Sequence, residues 1–125
     1  MKQQYWVVGS MFGGVEDHLS SFIDRGYWYC WDPKVNPDIP TAVQNALPKI
    51  RKGDRIAVKK MMGQGSTNIE IRALGIVKDV DLSEWRVYVD WLVTDKSHEV
   101  PIKNYMGSIH GPVEPSEWRA NAFEI

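Results

Sequence analysis

The chain has 125 residues, of which 43% are hydrophobic and 25% charged, with a formal net charge of -1. That size suits one hydrophobic core, no apolar run approaches the ~20 residues a membrane-spanning helix needs, and the charge gives no global pull toward nucleic acid or an anionic membrane. A lone cysteine, Cys30, allows no internal disulfide, and the opening apolar run breaks at Gly9, too early for a secretion signal, so the expectation is a single cytoplasmic domain over residues 1–125 without a membrane partner.

Residues 5–9, aromatic and β-branched, read as a buried strand, and a loop from Ser10 through Phe12 to Gly14 follows. Val15, Leu19, Phe22 and Ile23 recur at helical spacing, with Glu16 and Asp17 expected in the first turn and Gly26 closing the end. Tyr27, Trp28, Tyr29, Cys30 and Trp31 form a second strand by propensity, stopped by Asp32 and Pro33. Pro40 suits the start of a short helix carrying Val43, Ala46 and Leu47, which Pro48 must end.

Lys52, Gly53 and Asp54 then turn the chain into a strand over residues 55–62, and the glycine-rich run 63–68 reads as a hairpin loop. A long strand covers residues 69–80. There Ile69, Ile71 and Ala73 share one face up to Gly75, after which Ile76 and Val77 break the alternation, a sign of a bulge or barrel corner. Trp85, Val87, Val89, Trp91 and Val93 keep strict alternation with Arg86, Tyr88, Asp90 and Thr94 and make the clearest strand. Residues 100–102 are a further strand candidate, 107–112 a loop, and 118–125 a terminal segment of open form. Together these predict an α+β, β-rich class: a small bent antiparallel sheet or partly open β-barrel flanked by short helices.

The search for chemistry returns little. Gly9 to Gly14 has the glycine spacing of a phosphate loop but lacks the lysine and hydroxyl that follow it in nucleotide hydrolases. His18, His98 and His110 show no paired metal-ligand spacing, so no metal is expected. Ser10 with Asp17 and His110, or Cys30 with His110, lack any nucleophile motif, so no catalytic residue and no cofactor is expected. Two features remain. Residues 49–60 hold six cations, Lys49, Arg51, Lys52, Arg55, Lys59 and Lys60, against Asp54 alone, which reads either as a phosphate-binding patch or as a solvated strand face. The aromatic run 27–31 needs apolar surroundings on both faces, met either by a covering helix or by a partly open aromatic pocket. Aromatic walls beside cationic strands are what a flipped or single-stranded base requires.

The blocks Tyr5-Trp6-Val7-Val8-Gly9, Phe22-Ile23-Asp24-Arg25-Gly26-Tyr27-Trp28, Ile50-Arg51-Lys52-Gly53-Asp54-Arg55-Ile56-Ala57-Val58-Lys59 and Ala73-Leu74-Gly75-Ile76-Val77, in that order, resemble the EVE-like branch of the PUA fold. The order is most similar to the amino-terminal domain that precedes the motor in modification-dependent restriction NTPases of the AAA family. The resemblance covers residues 5–112. It implies a bent β-barrel with flanking helices that binds DNA or RNA, in several members holding a modified base in an aromatic pocket, and a protein partner to supply the effector activity that lies outside this chain. On that reading Trp28 and Trp31 stack a base, Lys59 and Lys60 contact phosphate, Ser10 or Ser108 reads a base edge, and Phe12 and His110 complete the candidate set. The alternative is a protein-interaction or small-ligand module using the same concavity without nucleic acid.

Overall fold

A computed structural model describes residues 2–12 and 15–125; Gly13 and Gly14 of the expected glycine loop lie outside the described residues. The strands are β1 (Tyr5–Gly9), β2 (Met11–Phe12), β3 (Glu16–Asp17), β4 (Tyr27–Trp28), β5 (Arg55–Met61), β6 (Asn68–Asp81), β7 (Arg86–Val93), β8 (His98–Pro101) and β9 (Ile109–His110). The helices are α1 (Leu19–Arg25), α2 (Thr41–Ala46) and α3 (Glu117–Ala122). None of them is long and apolar enough to cross a membrane.

Seven strands form one curled sheet in the order β4-β7-β6-β5-β1-β9, with β8 joining β6 off that path. The sheet is mixed, not antiparallel as expected, because β1 and β5 run parallel from Tyr5 beside Arg55 to Gly9 beside Lys59. Parallel neighbours need a long crossover, and the segment holding α1, β4 and α2 supplies it.

Both faces of the sheet's middle are covered. Trp6, Val8, Ile56, Val58, Val77, Val87 and Val89 pack with Phe22, Trp28 and Leu47 in one buried cluster, whereas Val7, Ala57, Ile69, Ile71 and Leu74 pack with Val100 and Trp118 in another. Neighbouring residues of β1 and β5 thus enter opposite cores, which accounts for their unbroken apolar sequence.

The curl is built into β6. Its first residues pair with β8 and its later ones with β7, while β5 runs along its other edge. Val58 faces Ala73 but Lys59 faces Ile71, so Arg72 is the extra residue of a bulge. Ile69 and Ile71 therefore join one core and Ala73 the other. One break in alternation thus lies at Arg72, ahead of the one expected after Gly75. Further register shifts follow at Leu74/Gly75 and Val77/Asp79 against β7.

Two other elements depart from expectation. The first helix starts at Leu19, not Val15, because Glu16 and Asp17 pair with β2 as a small hairpin and Asp17 Oδ1 takes the Leu19 N–H at 3.1 Å. Val15 is 82% exposed. Its end is as read: Gly26 sits at φ 70° and donates to the Phe22 carbonyl. The strand expected at 27–31 stops at Trp28, whose pairing with Val87 is the last between β4 and β7 although Arg86 still belongs to β7. Arg86 instead lays its guanidinium over the Tyr27 and Tyr29 rings, 4.7 Å from each centroid. Pro48 ends α2 but is itself part of a 3-10 turn, Leu47–Lys49, and the uncertain terminal segment contains α3, capped by the Ser116 hydroxyl.

Candidate ligand cavity

Released from the sheet after Trp28, the chain carries Tyr29, Cys30, Trp31 and Asp32 along the wall of a cavity of about 610 Å³. That volume lies within the ~300–1,000 Å³ typical of small-ligand sites. Phe12 and His18 form a second wall, Val35, Asn36, Pro40, Ala42 and Val43 a third, and Gly107 to His110 a fourth beside the end of β1. The rings are locked together. Phe12 stacks on His18 with centroids 4.1 Å apart and meets the edge of Tyr29 at 5.3 Å, and Tyr29 in turn contacts Phe22 and Tyr27. Such edge and offset contacts hold flat surfaces at set angles.

Of the candidate residues, Phe12, Trp31, Ser108 and His110 meet at this cavity. Trp31 is half-buried, and its Nε1 donates to the Asn36 carbonyl at 2.8 Å, which fixes the indole plane against the 33–40 loop. Ser108 is exposed. His110 Nε2 accepts the Gly107 N–H at 2.8 Å, and burial together with the neighbouring Lys59 charge pushes the imidazole below its ordinary pKa.

Trp28 does not belong to the site. It is wholly buried, with its Nε1 donating to the Gly9 carbonyl at 2.8 Å, so the ring has no open face on which a base could stack. Its register opposite Val87 turns it into the core, while the shorter β4 frees Trp31 instead. Ser10 is likewise wholly buried, and its hydroxyl donates to Asp17 Oδ1 at 3.0 Å. It supports the wall and cannot read a base edge. Asp17 also takes the Arg72 guanidinium. Burial would raise the Asp17 pKa, but hydrogen bonds from Arg72, Leu19 N–H and Ser10 outweigh it and hold the carboxyl below the usual range.

The cationic stretch is not one patch. Lys49, Arg51 and Lys52 precede the end of β5 that pairs with Tyr5, whereas Lys59 pairs with Gly9 beside the cavity. The intervening strand, at ~3.3 Å per residue, separates Arg55 from Lys59 by about 13 Å. Lys59 is not on the surface: it is 5% exposed, and its Nζ donates to the Met106 carbonyl at 3.2 Å. Lys60 points away from it, half-buried opposite Glu70. Neither lysine therefore presents itself to a phosphate at this cavity, and no lysine or arginine is among its described lining residues.

Asp17 has one oxygen on Ser10 and the other on Arg72, which leaves no histidine between hydroxyl and carboxylate as a hydrolytic triad requires. Cys30 lines the cavity beside His110's wall, but burial pushes its thiol up to about 12, far from a reactive thiolate. Among the described residues no three of His, Cys, Asp and Glu gather as a metal site would need.

Tyr29 and His18 are lining residues that sequence reasoning did not select. Tyr29 stood in the aromatic run and was hidden by its reading as a mid-strand residue. His18 stood inside an expected helix, and no local signal marked it. No protein-family model matches this chain, and no curated protein matches it.

Proposed function

We propose that the protein is a non-catalytic nucleic-acid-binding module that holds one unstacked base, plain or modified, in the aromatic cavity. The observation that carries this reading is the set of fixed rings at Phe12, Tyr29 and Trp31 around a space of about 610 Å³, with the hydroxyl of Ser108 and the imidazole of His110 along one wall. Flat apolar walls accept the face of a base, and polar groups at one edge accept its functional groups. The resemblance to EVE-like domains supports the same assignment, and on that basis a partner protein supplies the effector activity.

A second reading, a small-ligand module without nucleic acid, is favoured by the lack of lysine or arginine in the described cavity lining. Fluorescence polarisation with single- and double-stranded oligonucleotides, with and without modified bases, separates the two. A base reader binds an oligonucleotide more tightly than the free nucleoside, and its affinity falls as salt rises. A small-ligand site gains nothing from flanking nucleotides and is indifferent to salt. Absence of saturable oligonucleotide binding at low salt rejects the first reading.

A further inference from the structure

Lys59 is a buried cation with no ion-pair partner among the described residues. None of the salt bridges among the described residues includes it, and its hydrogen bond goes to a neutral carbonyl, that of Met106. An ammonium has three N–H donors, and a charge removed from water without a counter-charge is costly. The direction of its field is therefore informative.

What stands between that ammonium and the cavity is mostly backbone. Gly9, Gly107 and His110 line the cavity. Lys59 pairs with Gly9 in the sheet, and a side-chain carbon at Gly9 would lie 3.7 Å from Lys59 Nζ and 3.8 Å from the Gly107 carbonyl. Gly9 thus puts no side chain between the lysine's ammonium and the part of the cavity wall that Gly9 and Gly107 form. Two side chains on this wall can donate as well. His110 Nε2 is occupied as an acceptor of the Gly107 N–H, which puts the proton of the neutral imidazole on Nδ1, and Ser108 carries a hydroxyl.

We propose that Lys59, with Ser108, makes this wall of the cavity selective for a base that presents a carbonyl oxygen, as guanine, thymine and uracil do where adenine and cytosine carry an amino group. This rests on the base-binding reading above. A carbonyl oxygen turns partial negative charge toward the buried cation and accepts from the Ser108 hydroxyl, whereas an amino group, which that hydroxyl can also accept, turns partial positive charge toward the cation, so the lysine's field decides between them. The lysine acts as a specificity determinant through its field and through its hold on the 106–108 backbone.

The test uses fluorescein-labelled single strands that are abasic except for one central base, so that no neighbouring base competes for the cavity. Polarisation titrations compare guanine and thymine with adenine and cytosine on the wild type, Lys59→Met and Ser108→Ala. The expected result is a preference for guanine and thymine on the order of tenfold, the value of about one net hydrogen bond. Lys59→Met abolishes that preference and Ser108→Ala reduces it. Circular dichroism establishes that each variant is folded, and if Lys59→Met is not, the wild-type ranking and Ser108→Ala decide. Equal binding of all four bases by the wild type, or an unchanged ranking in a folded Lys59→Met, overturns the inference and leaves the cavity reading standing. Binding of every strand no tighter than a wholly abasic one overturns the cavity reading itself.

Discussion

Replacing Asp54 by alanine tests how the turn before β5 is held. The carboxylate is 2% exposed and accepts from Gln4 N–H at 2.9 Å, Gln4 Nε2 at 3.0 Å, Trp6 Nε1 at 3.0 Å and Arg51 N–H at 2.9 Å. The bonds differ in value. Gln4 Nε2 keeps a second partner, the Lys49 carbonyl at 2.8 Å, so losing Asp54 costs it little. Trp6 is wholly buried, and its indole N–H would be left without an acceptor at a cost of ~1–3 kcal/mol. The part-buried amides of Gln4 and Arg51 lose the acceptor that ties the turn to β1, adding about 1 kcal/mol each. The expected total is about 3–5 kcal/mol, a large share of the ~5–15 kcal/mol that stabilises a domain. Asp54→Asn keeps the shape and one carbonyl oxygen, so its loss should be smaller. Urea unfolding at pH 7, followed by tryptophan fluorescence, should show a lower midpoint with an unchanged slope. An alanine variant within about 1 kcal/mol of the wild type would refute this account of the turn.

The two central tryptophans should separate stability from binding. Trp28→Ala, in the core, is expected to cost ~3–5 kcal/mol of stability, whereas Trp31→Ala should leave a stable fold and weaken ligand binding by ~1–3 kcal/mol; a thermal melt and a titration on each variant would show the reverse pattern if the cavity is misplaced. Gly75→Ala is expected to destabilise by ~1–3 kcal/mol through overpacking, because a Cβ there would lie 2.9 Å from the Asp90 carbonyl and 3.1 Å from the Trp91 ring and collide with Val89; an unaltered urea midpoint would contradict it. Burial lowers the Lys59 pKa from its ordinary 10.5, so the unfolded chain holds this proton more tightly. The resulting penalty is complete below the folded pKa and is relieved as pH rises from there toward 10.5. Lys59→Met should therefore match or exceed wild-type stability at pH 7, with the gap closing at alkaline pH, and a gap independent of pH would disprove the sign.

The β-rich class, the hairpin at 63–68, the closing role of Gly26 and the alternation of Val87, Val89 and Trp91 in β7 were legible in the sequence because each depends on local spacing, turn chemistry or propensity; the alternation does not extend to Val93, which packs against the opposite core after a register shift. Helix α1 was misjudged at its start because Val15 fits the helical period, yet residues 16–17 are taken by pairing with β2, a competition invisible in periodicity. The fate of the aromatic run turned on one pairing. Pairing with β7 ends at Trp28, which is core, and Trp31 beyond it lines the cavity. Likewise the six cations of residues 49–60 looked like one patch in the sequence, and the length of β5 divides them between opposite ends of a strand.

By itself, then, the amino-acid order determined that the chain is β-rich, where its longest strands run and where it turns at Gly26 and at residues 63–68, since those preferences reside in a few neighbouring residues. Tertiary structure alone decided which rings face a cavity and which charges meet there. Strand register, the Arg72 bulge and the parallel β1–β5 pair are set by contacts between residues far apart in the chain, and shifting a register by one residue sends every side chain of a strand to the other face.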